Sequence, residues 1–184
     1  MTAKEKIQEL VKTEDPPALG PRARPNVKSQ GEVNRGLDEA FQGVNLSVAN
    51  QQTVRALLLL WHDHLEASHV IAQDIPNPNG AFVHAIMHRR EPDYSNAKYW
   101  FHRVGKHAAF PEIARRTQAW LKEQNQQTIA AKLLPKGTWD AFAFVDLCED
   151  ASRNSSSGSV QMLREIQRIE TEVLLEHLLE TNNS

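Results

Sequence analysis

The sequence predicts an all-α, single-domain bundle of six or seven helices, built around a helical hairpin at residues 51–91. Apolar residues recur at spacings of three and four in several segments, as they do along one face of a helix. Alternating apolar and polar runs joined by a hairpin turn, which are typical of strands, do not occur in the sequence. With 184 residues, 40% of them hydrophobic and 24% charged, the chain is long enough to bury one ordinary core.

The N-terminal part of the chain combines a short helix with an irregular arm. An apolar stripe predicts a helix at residues 3–13. Residues 14–33 contain four prolines and two glycines, which interrupt regular structure, so we expect an extended arm there. A short helix is predicted within residues 35–48 around the sequence LDEAFQGV.

The hairpin itself consists of two predicted helices joined by a short loop. Residues 51–73 form the first helix, and the sequence DIPNPNG ends it. Residues 81–90 form the second, which stops before Pro92 because proline disfavours a helical residue in front of it. A third helix follows, with Ser95 as its N-cap and Gly105 just past its end.

The C-terminal half is predicted to be helical throughout, apart from a flexible tether with the sequence NSSSGS. The remaining predicted helices span 111–134, 138–153 and 160–180. We divide the chain into an N-terminal helix and arm at 1–34, an all-α domain at 35–153 that contains the candidate site, and a tether with an amphipathic helix at 154–184.

Composition excludes several classes of protein. The formal net charge of −2 is unlike that of a dedicated nucleic-acid binder, and no apolar run approaches the length of a membrane span. Cys148 is the only cysteine, so the chain has neither an internal disulfide nor a thiolate zinc cluster. The first residues lack the apolar core of a signal peptide. We therefore expect a cytoplasmic protein that contacts neither nucleic acid nor membrane.

Histidines are concentrated in the hairpin. Seven of the eight lie between His62 and His107. In a continuous helix over 51–73, the spacing i, i+4, i+7 places two histidines and one glutamate on one face: His62, Glu66 and His69. The second helix repeats this spacing with His84, His88 and Glu91.

Each member of the first triple lies about as many residues from the connecting loop as one member of the second triple. If the two faces meet, three pairs form at successive levels: His69 with His84, Glu66 with His88, and His62 with Glu91. Imidazole and carboxylate together are ligands of zinc, iron and manganese, so all six are candidate ligands of a divalent metal. Two alternatives remain open: a metal-free ladder of imidazole–carboxylate hydrogen bonds, and a solvated helix face.

The residues that follow the second triple suggest an anionic ligand. Arg89 and Arg90 are candidate anchors, since guanidinium groups pair with carboxylate or phosphate, and Tyr94 and Lys98 complete the candidate substrate-binding set. In the alternative interpretation, these arginines form ion pairs with Glu91 and Asp93, and the sequence YWF at 99–101 belongs to the core.

The motifs LLWHDHLEASH and GAFVHAIMHRREPDYSNAKYWFHRVGKH together resemble a family of uncharacterised proteins found in bacteria and fungi. The similarity covers about residues 57–110. It implies that this segment is important, but it implies no particular reaction. In that family the position of His102 is usually arginine, so His102 is left out of the candidate site.

Two hypotheses of different classes follow. In the first, the protein is a small intracellular enzyme, with His88 and Glu66 as candidate catalytic residues and a divalent metal as candidate cofactor, acting on a small anionic substrate. In the second, it is a non-catalytic ligand-binding or interaction module in which the histidines and glutamates form a structural network. The C-terminal helix would then be exposed and would form a homodimer.

Overall fold

The computed structural model describes residues 1–154 and 156–180, and that part of the chain is all-α, as predicted, without strands. Residue 155, within the predicted tether, and residues 181–184 lie outside the described residues. The described helices are α1 (Ala3–Glu9), α2 (Gln30–Phe41), α3 (Val48–Trp61), α4 (Leu65–Ala72), α5 (Pro78–Arg90), α6 (Tyr94–Val104), α7 (Phe110–Glu123), α8 (Gln127–Leu133), α9 (Ala141–Asn154) and α10 (Ser157–Glu180), with one 3₁₀ turn at Pro135–Gly137.

The helix count exceeds the predicted six or seven partly because two predicted helices are each broken by one residue in the left-handed region. Asp63, with φ of 67°, separates α3 from α4 inside the predicted 51–73 helix. Asn125, with φ of 56°, separates α7 from α8 inside the predicted 111–134 helix. Asparagine and aspartate tolerate this conformation better than other non-glycine residues.

Asp63 is held in the break by two arginines. Its carboxylate accepts hydrogen bonds at 2.9 Å from both the backbone N–H and the Nε of Arg24, and at 2.7 Å from Nη2 of Arg90. Burial by itself would raise the pKa of Asp63, but the hydrogen bonds from Arg24 and the charge of Arg90 outweigh burial, and the pKa is lowered. The break in the helix is therefore stabilised by residues distant in sequence.

The proline-rich arm, residues 10–29, is irregular but fixed to the body. It ends earlier than predicted, because Ser29 and Glu32 form a capping box that starts α2 at Gln30. Its backbone carbonyls are hydrogen-bond acceptors for buried or half-buried side chains. Arg90 donates to the carbonyl of Ala18 at 3.1 Å, and Arg164 donates to that of Pro17 at 3.3 Å. The arm thus supplies hydrogen-bond acceptors for arginine side chains of the helical body.

The C-terminal helix is part of the core, so the expectation that it would be exposed is wrong. α10 contacts α1, α3, α7 and α9, and buries Ile166, Leu174 and Leu178 completely. It also supplies Glu170, which is fully buried beside α5. None of the described helices is both long enough and apolar enough to cross a lipid bilayer.

The turn between α4 and α5 requires a glycine in the first turn of α5. A Cβ atom on Gly80 would lie 2.5 Å from the carbonyl oxygen and the Cβ of Ile75. The Asn77 side chain caps the same turn by accepting from the N–H of Gly80 at 3.0 Å. The close approach allowed by Gly80 keeps the turn tight and sets α4 against α5.

We expect Asp63→Asn to lower the free energy of unfolding by about 3 kcal/mol, because it leaves Arg24 and Arg90 buried without their counter-charge. Urea denaturation measures this value. Asp38→Asn is the control, since Asp38 pairs with Arg55 at the surface, where such a change costs less than about 1 kcal/mol. Equal losses in the two variants would contradict a central role for Asp63.

We expect Gly80→Ala to destabilise the protein by about 1–3 kcal/mol, because the added methyl group collides with the backbone of Ile75. Gly36→Ala, in the middle of α2, meets only ordinary contacts and should stabilise by up to about 1 kcal/mol through helix propensity. Thermal unfolding of both variants measures the difference in sign. Stabilisation by Gly80→Ala would show that the turn does not need the close approach.

Candidate metal centre

Three histidines from two helices meet at one point of the structure. The ring centroid of His69, on α4, lies 4.8 Å from that of His84 and 5.2 Å from that of His88, both on α5. The rings of His84 and His88 are stacked, with centroids 4.7 Å apart. One nitrogen from each ring lies within 4.8 Å of the other two. We call this group the histidine triad.

The triad depends on helix periodicity and on the tight turn before α5. His84 and His88 are four residues apart, so both project from one face of α5. His69 lies in the last turn of α4 and reaches that face because the α4–α5 connection is short. The helix that follows, α6, contributes Asn96 and Trp100 at the same spacing of four, and they contact His88 and His84 respectively.

His84 is the most deeply buried member of the triad. Its side chain is only 3% exposed, and neither ring nitrogen has a hydrogen-bond partner. The ring of Trp100 covers one side, with centroids 4.0 Å apart. Burial, and then the neighbouring imidazoles of His88 and His69, lower the pKa of His84 to about 4. At neutral pH this residue is therefore uncharged and presents an unused nitrogen lone pair.

His88 has two polar neighbours, Glu91 and Asn96. Its Nδ1 lies 3.2 Å from Oε2 of Glu91, and Nδ2 of Asn96 lies over the ring, 3.2 Å from Nε2 and 3.4 Å from Nδ1. A carboxylate can only accept, so Nδ1 carries the proton and Nε2 is an acceptor. Burial lowers the pKa of His88, although the charge of Glu91 opposes this effect. The Nε2 lone pair therefore points away from the carboxylate.

The donor set of the triad matches that of a transition-metal site. Neutral imidazole is a good ligand for zinc, copper, iron and nickel. Tetrahedral coordination with metal–nitrogen bonds of about 2.0–2.1 Å requires the three nitrogens to be about 3.3 Å apart. The triad nitrogens lie within 4.8 Å of one another, so a bound ion would draw them closer by up to about 1.5 Å. The Glu91–His88 contact is the carboxylate–histidine arrangement that commonly supports a metal ligand.

Of the three predicted pairs, the structure contains only His69 with His84. Glu66 is exposed on α4 and does not meet His88, whose carboxylate neighbour is Glu91 on its own helix. The reason is the break at Asp63, which changes the direction of the chain between His62 and Glu66. Because the helix is not continuous, His62 does not share a helix face with Glu66 and His69.

His62 lies outside the triad and joins the arm to the body. Its Nε2 donates to the carbonyl oxygen of Leu10 at 2.9 Å, and its Nδ1 accepts from the backbone N–H of Lys28 at 3.2 Å. Both ring nitrogens are used, so His62 has no lone pair left for a metal. Burial lowers its pKa to about 4.

His107 is a second histidine with both nitrogens occupied. Its Nε2 donates to Oδ1 of Asn79 at 2.8 Å, and its Nδ1 accepts from the backbone N–H of Ala109 at 3.1 Å. Burial, with a smaller contribution from His177, lowers its pKa to about 4. Like His62, it is a neutral side chain that fixes the fold.

The two arginines predicted as substrate anchors are buried in ion pairs within the protein. Arg89 is fully buried, with Nη2 at 2.5 Å from Oε2 of Glu170 and its guanidinium 4.4 Å from the ring centroid of Phe144. Arg90 is 1% exposed and donates to Asp63. The alternative interpretation, that these arginines form ion pairs within the protein, is right about the pairing but wrong about the partners, which are not the neighbouring Glu91 and Asp93 but the distant Glu170 and Asp63.

The other two candidate substrate residues lie at the edge of the site helices. Tyr94 is the first residue of α6 and is half-buried against the core, and Lys98 forms an ion pair with Asp146 of α9. The predicted aromatic core segment is divided, with Phe101 buried and Tyr99 exposed.

Sequence reasoning missed two neighbours of the triad, Asn96 and Trp100. The alternative interpretation places Trp100 in the core; its half-buried ring packs against the core and also covers His84. The spacing of residues on either side of the loop after α5 predicts both contacts. If α5 and α6 run antiparallel around the short loop at 91–93, His88 lies level with Asn96 and His84 with Trp100.

Comparison of the chain with protein-family models, with curated proteins and with solved structures gives no match. The function must therefore be inferred from the chemistry of the side chains.

The buried neutral histidines predict a loss of stability in mild acid. His62, His84 and His107 have a pKa of about 4 in the native protein, against about 6.5 in the unfolded chain. The stability they contribute is present above pH 6.5 and is lost as the pH falls towards 4, because only the unfolded chain takes up these protons.

We expect the free energy of unfolding of the metal-free protein, measured by urea denaturation, to fall between pH 7 and pH 5. Its slope against pH should correspond to the uptake of about three protons by these histidines, to which His88 and His177, whose pKa is also lowered, add. His84→Phe should reduce the uptake by about one proton. A free energy of unfolding that stays constant over this range would show that these histidines are not held neutral.

Proposed function

We propose that this protein binds one divalent transition-metal ion through His69, His84 and His88, and that it is a metal-dependent enzyme acting on a small anionic substrate. The observation that carries the proposal is His84, a buried imidazole with no hydrogen-bond partner on either nitrogen. An unsatisfied polar group of this kind costs free energy of folding unless something pairs with it. A metal ion bound by all three rings would supply the missing partner.

The type of metal follows from the ligands. Three neutral nitrogens favour zinc, iron, copper or nickel over magnesium and calcium, which prefer oxygen. Among the candidate cofactors inferred from the sequence, this favours zinc and iron over manganese. Zinc is the first ion to test, because its tetrahedral sites commonly use imidazole at the distances that the triad can reach.

The number of ligands favours catalysis over a purely structural role. Structural zinc sites have four protein ligands, whereas catalytic ones have three and leave a position for water or substrate. His69 is only half-buried and Glu91 is exposed, so the open position would face solvent. A bound water would become acidic enough to supply hydroxide near neutral pH, and a substrate oxygen would be polarised by the ion.

In this proposal the ion replaces the arginines as the anchor for an anion. Arg89 and Arg90 have their charge neutralised by Glu170 and Asp63, whereas three neutral imidazoles leave the double positive charge of the ion intact. Glu91 would orient His88 and increase its basicity by accepting a hydrogen bond from Nδ1–H.

The test is titration of untagged, metal-free protein with zinc and with cobalt, followed by calorimetry and by visible absorption. We expect one ion per chain, a raised melting temperature, and cobalt bands typical of low coordination number. His84→Phe should weaken binding at least 100-fold. His102→Ala is the matched control, because His102 is an exposed histidine on α6 outside the triad and its loss should change nothing.

His84→Phe also separates a functional histidine from a structural one. Phenylalanine keeps the stacking with Trp100 and removes two unsatisfied nitrogens, so we expect the metal-free variant to be as stable as the parent or about 1 kcal/mol more stable. Strong destabilisation together with unchanged zinc affinity would overturn the proposal and leave the triad as a structural polar cluster.

A further inference from the structure

We propose that Asn96 is the residue that binds the substrate anion on the metal, and that the anion is a small carboxylate or a similar oxyanion. This inference rests on the proposed function, since it needs an ion on the triad. Asn96 projects from the first turn of α6 towards His88, with Nδ2 at 3.2 Å from Nε2 and 3.4 Å from Nδ1.

The position of the amide determines what it can contact. Glu91 accepts a hydrogen bond from Nδ1–H, so Nε2 is the nitrogen available to a metal. Nδ2 of Asn96 is almost equidistant from the two ring nitrogens, so it lies over the ring and leaves the in-plane lone pair of Nε2 open to an ion. The amide group would then stand beside the coordination sphere, within reach of an atom bound in the open position.

The direction of the amide favours an anionic oxygen. The group that faces the triad is the NH₂, which can only donate. Donation to a charged oxygen is stronger than donation to a neutral one, and a metal-bound carboxylate keeps lone pairs that can accept. Glu91 would not do this, because its own negative charge repels an anion.

The size of the anion is limited by the surroundings. Trp100 covers His84 with centroids 4.0 Å apart, and the ring of His88 is stacked on the ring of His84 with centroids 4.7 Å apart. Rings packed this closely favour a small, flat group next to the ion over a long chain. A carboxylate fits both limits, since it is planar and presents one oxygen to the metal and one to Asn96.

The experiment measures acetate binding to the cobalt-loaded protein by the change in its visible spectrum, in the parent and in Asn96→Leu. The substitution keeps the shape and removes the donor, and it does not affect the backbone N–H of residue 96, which is capped by Asp93 at 3.2 Å. We expect acetate affinity to fall at least tenfold, with cobalt affinity equal to the parent's or a few-fold tighter.

Two further variants sharpen the result. Asn96→Asp keeps the shape and adds a negative charge, so acetate affinity should also fall at least tenfold. Asn34→Leu is the control, because Asn34 is another half-buried helical asparagine, on α2, bonded to Arg55 at 2.8 Å; acetate and cobalt affinities should stay at the parent's values.

Each contrary outcome has a separate meaning. Unchanged acetate affinity in Asn96→Leu, or a parent protein that binds cobalt but gives no spectral change with acetate, overturns the role of Asn96 alone. Loss of cobalt binding in Asn96→Leu also overturns it, since Asn96 would then be a metal ligand. Failure of the parent to bind cobalt or zinc overturns the proposed function and this inference together.

Discussion

The buried carboxylate of Asp63 is the constraint on which the rest of the structure depends. It lies between the guanidinium groups of Arg24 and Arg90 and is 1% exposed. An isolated charge there would be prohibitive, so the three side chains are stable only as a set. One member comes from the arm, one from the α3–α4 break and one from α5. Their meeting ends α3, turns α4 towards α5 and fixes the arm.

The buried histidines are of two kinds. His62 and His107 each use one nitrogen as donor and the other as acceptor, which specifies a single neutral tautomer and stabilises the fold. His84 contributes no such bond and is buried nonetheless. A buried polar group without a hydrogen-bond partner does not stabilise the fold, so a functional role is expected at such a position.

Helix periodicity and loop length predicted the parts of the site that depend on nearby residues. The face shared by His84 and His88 follows from their spacing, and the meeting of His69 with His84 follows from the short connection at 73–77. The rest depended on distant partners. A local pattern cannot show that Asp63 will leave the helix to meet Arg24, or that Arg89 will pair with Glu170, 81 residues further along the chain.

The distribution of buried carboxylates supports the proposed metal site over a metal-free ladder of hydrogen bonds. A metal-free ladder requires a carboxylate beside each imidazole. In the described part of the chain, Asp63 and Glu170 are taken by arginines, and Glu66 is exposed. Glu91 reaches His88 from the outer side and leaves His84 without an acidic partner. A metal ion requires only ring nitrogens, and both nitrogens of His84 lack a hydrogen-bond partner.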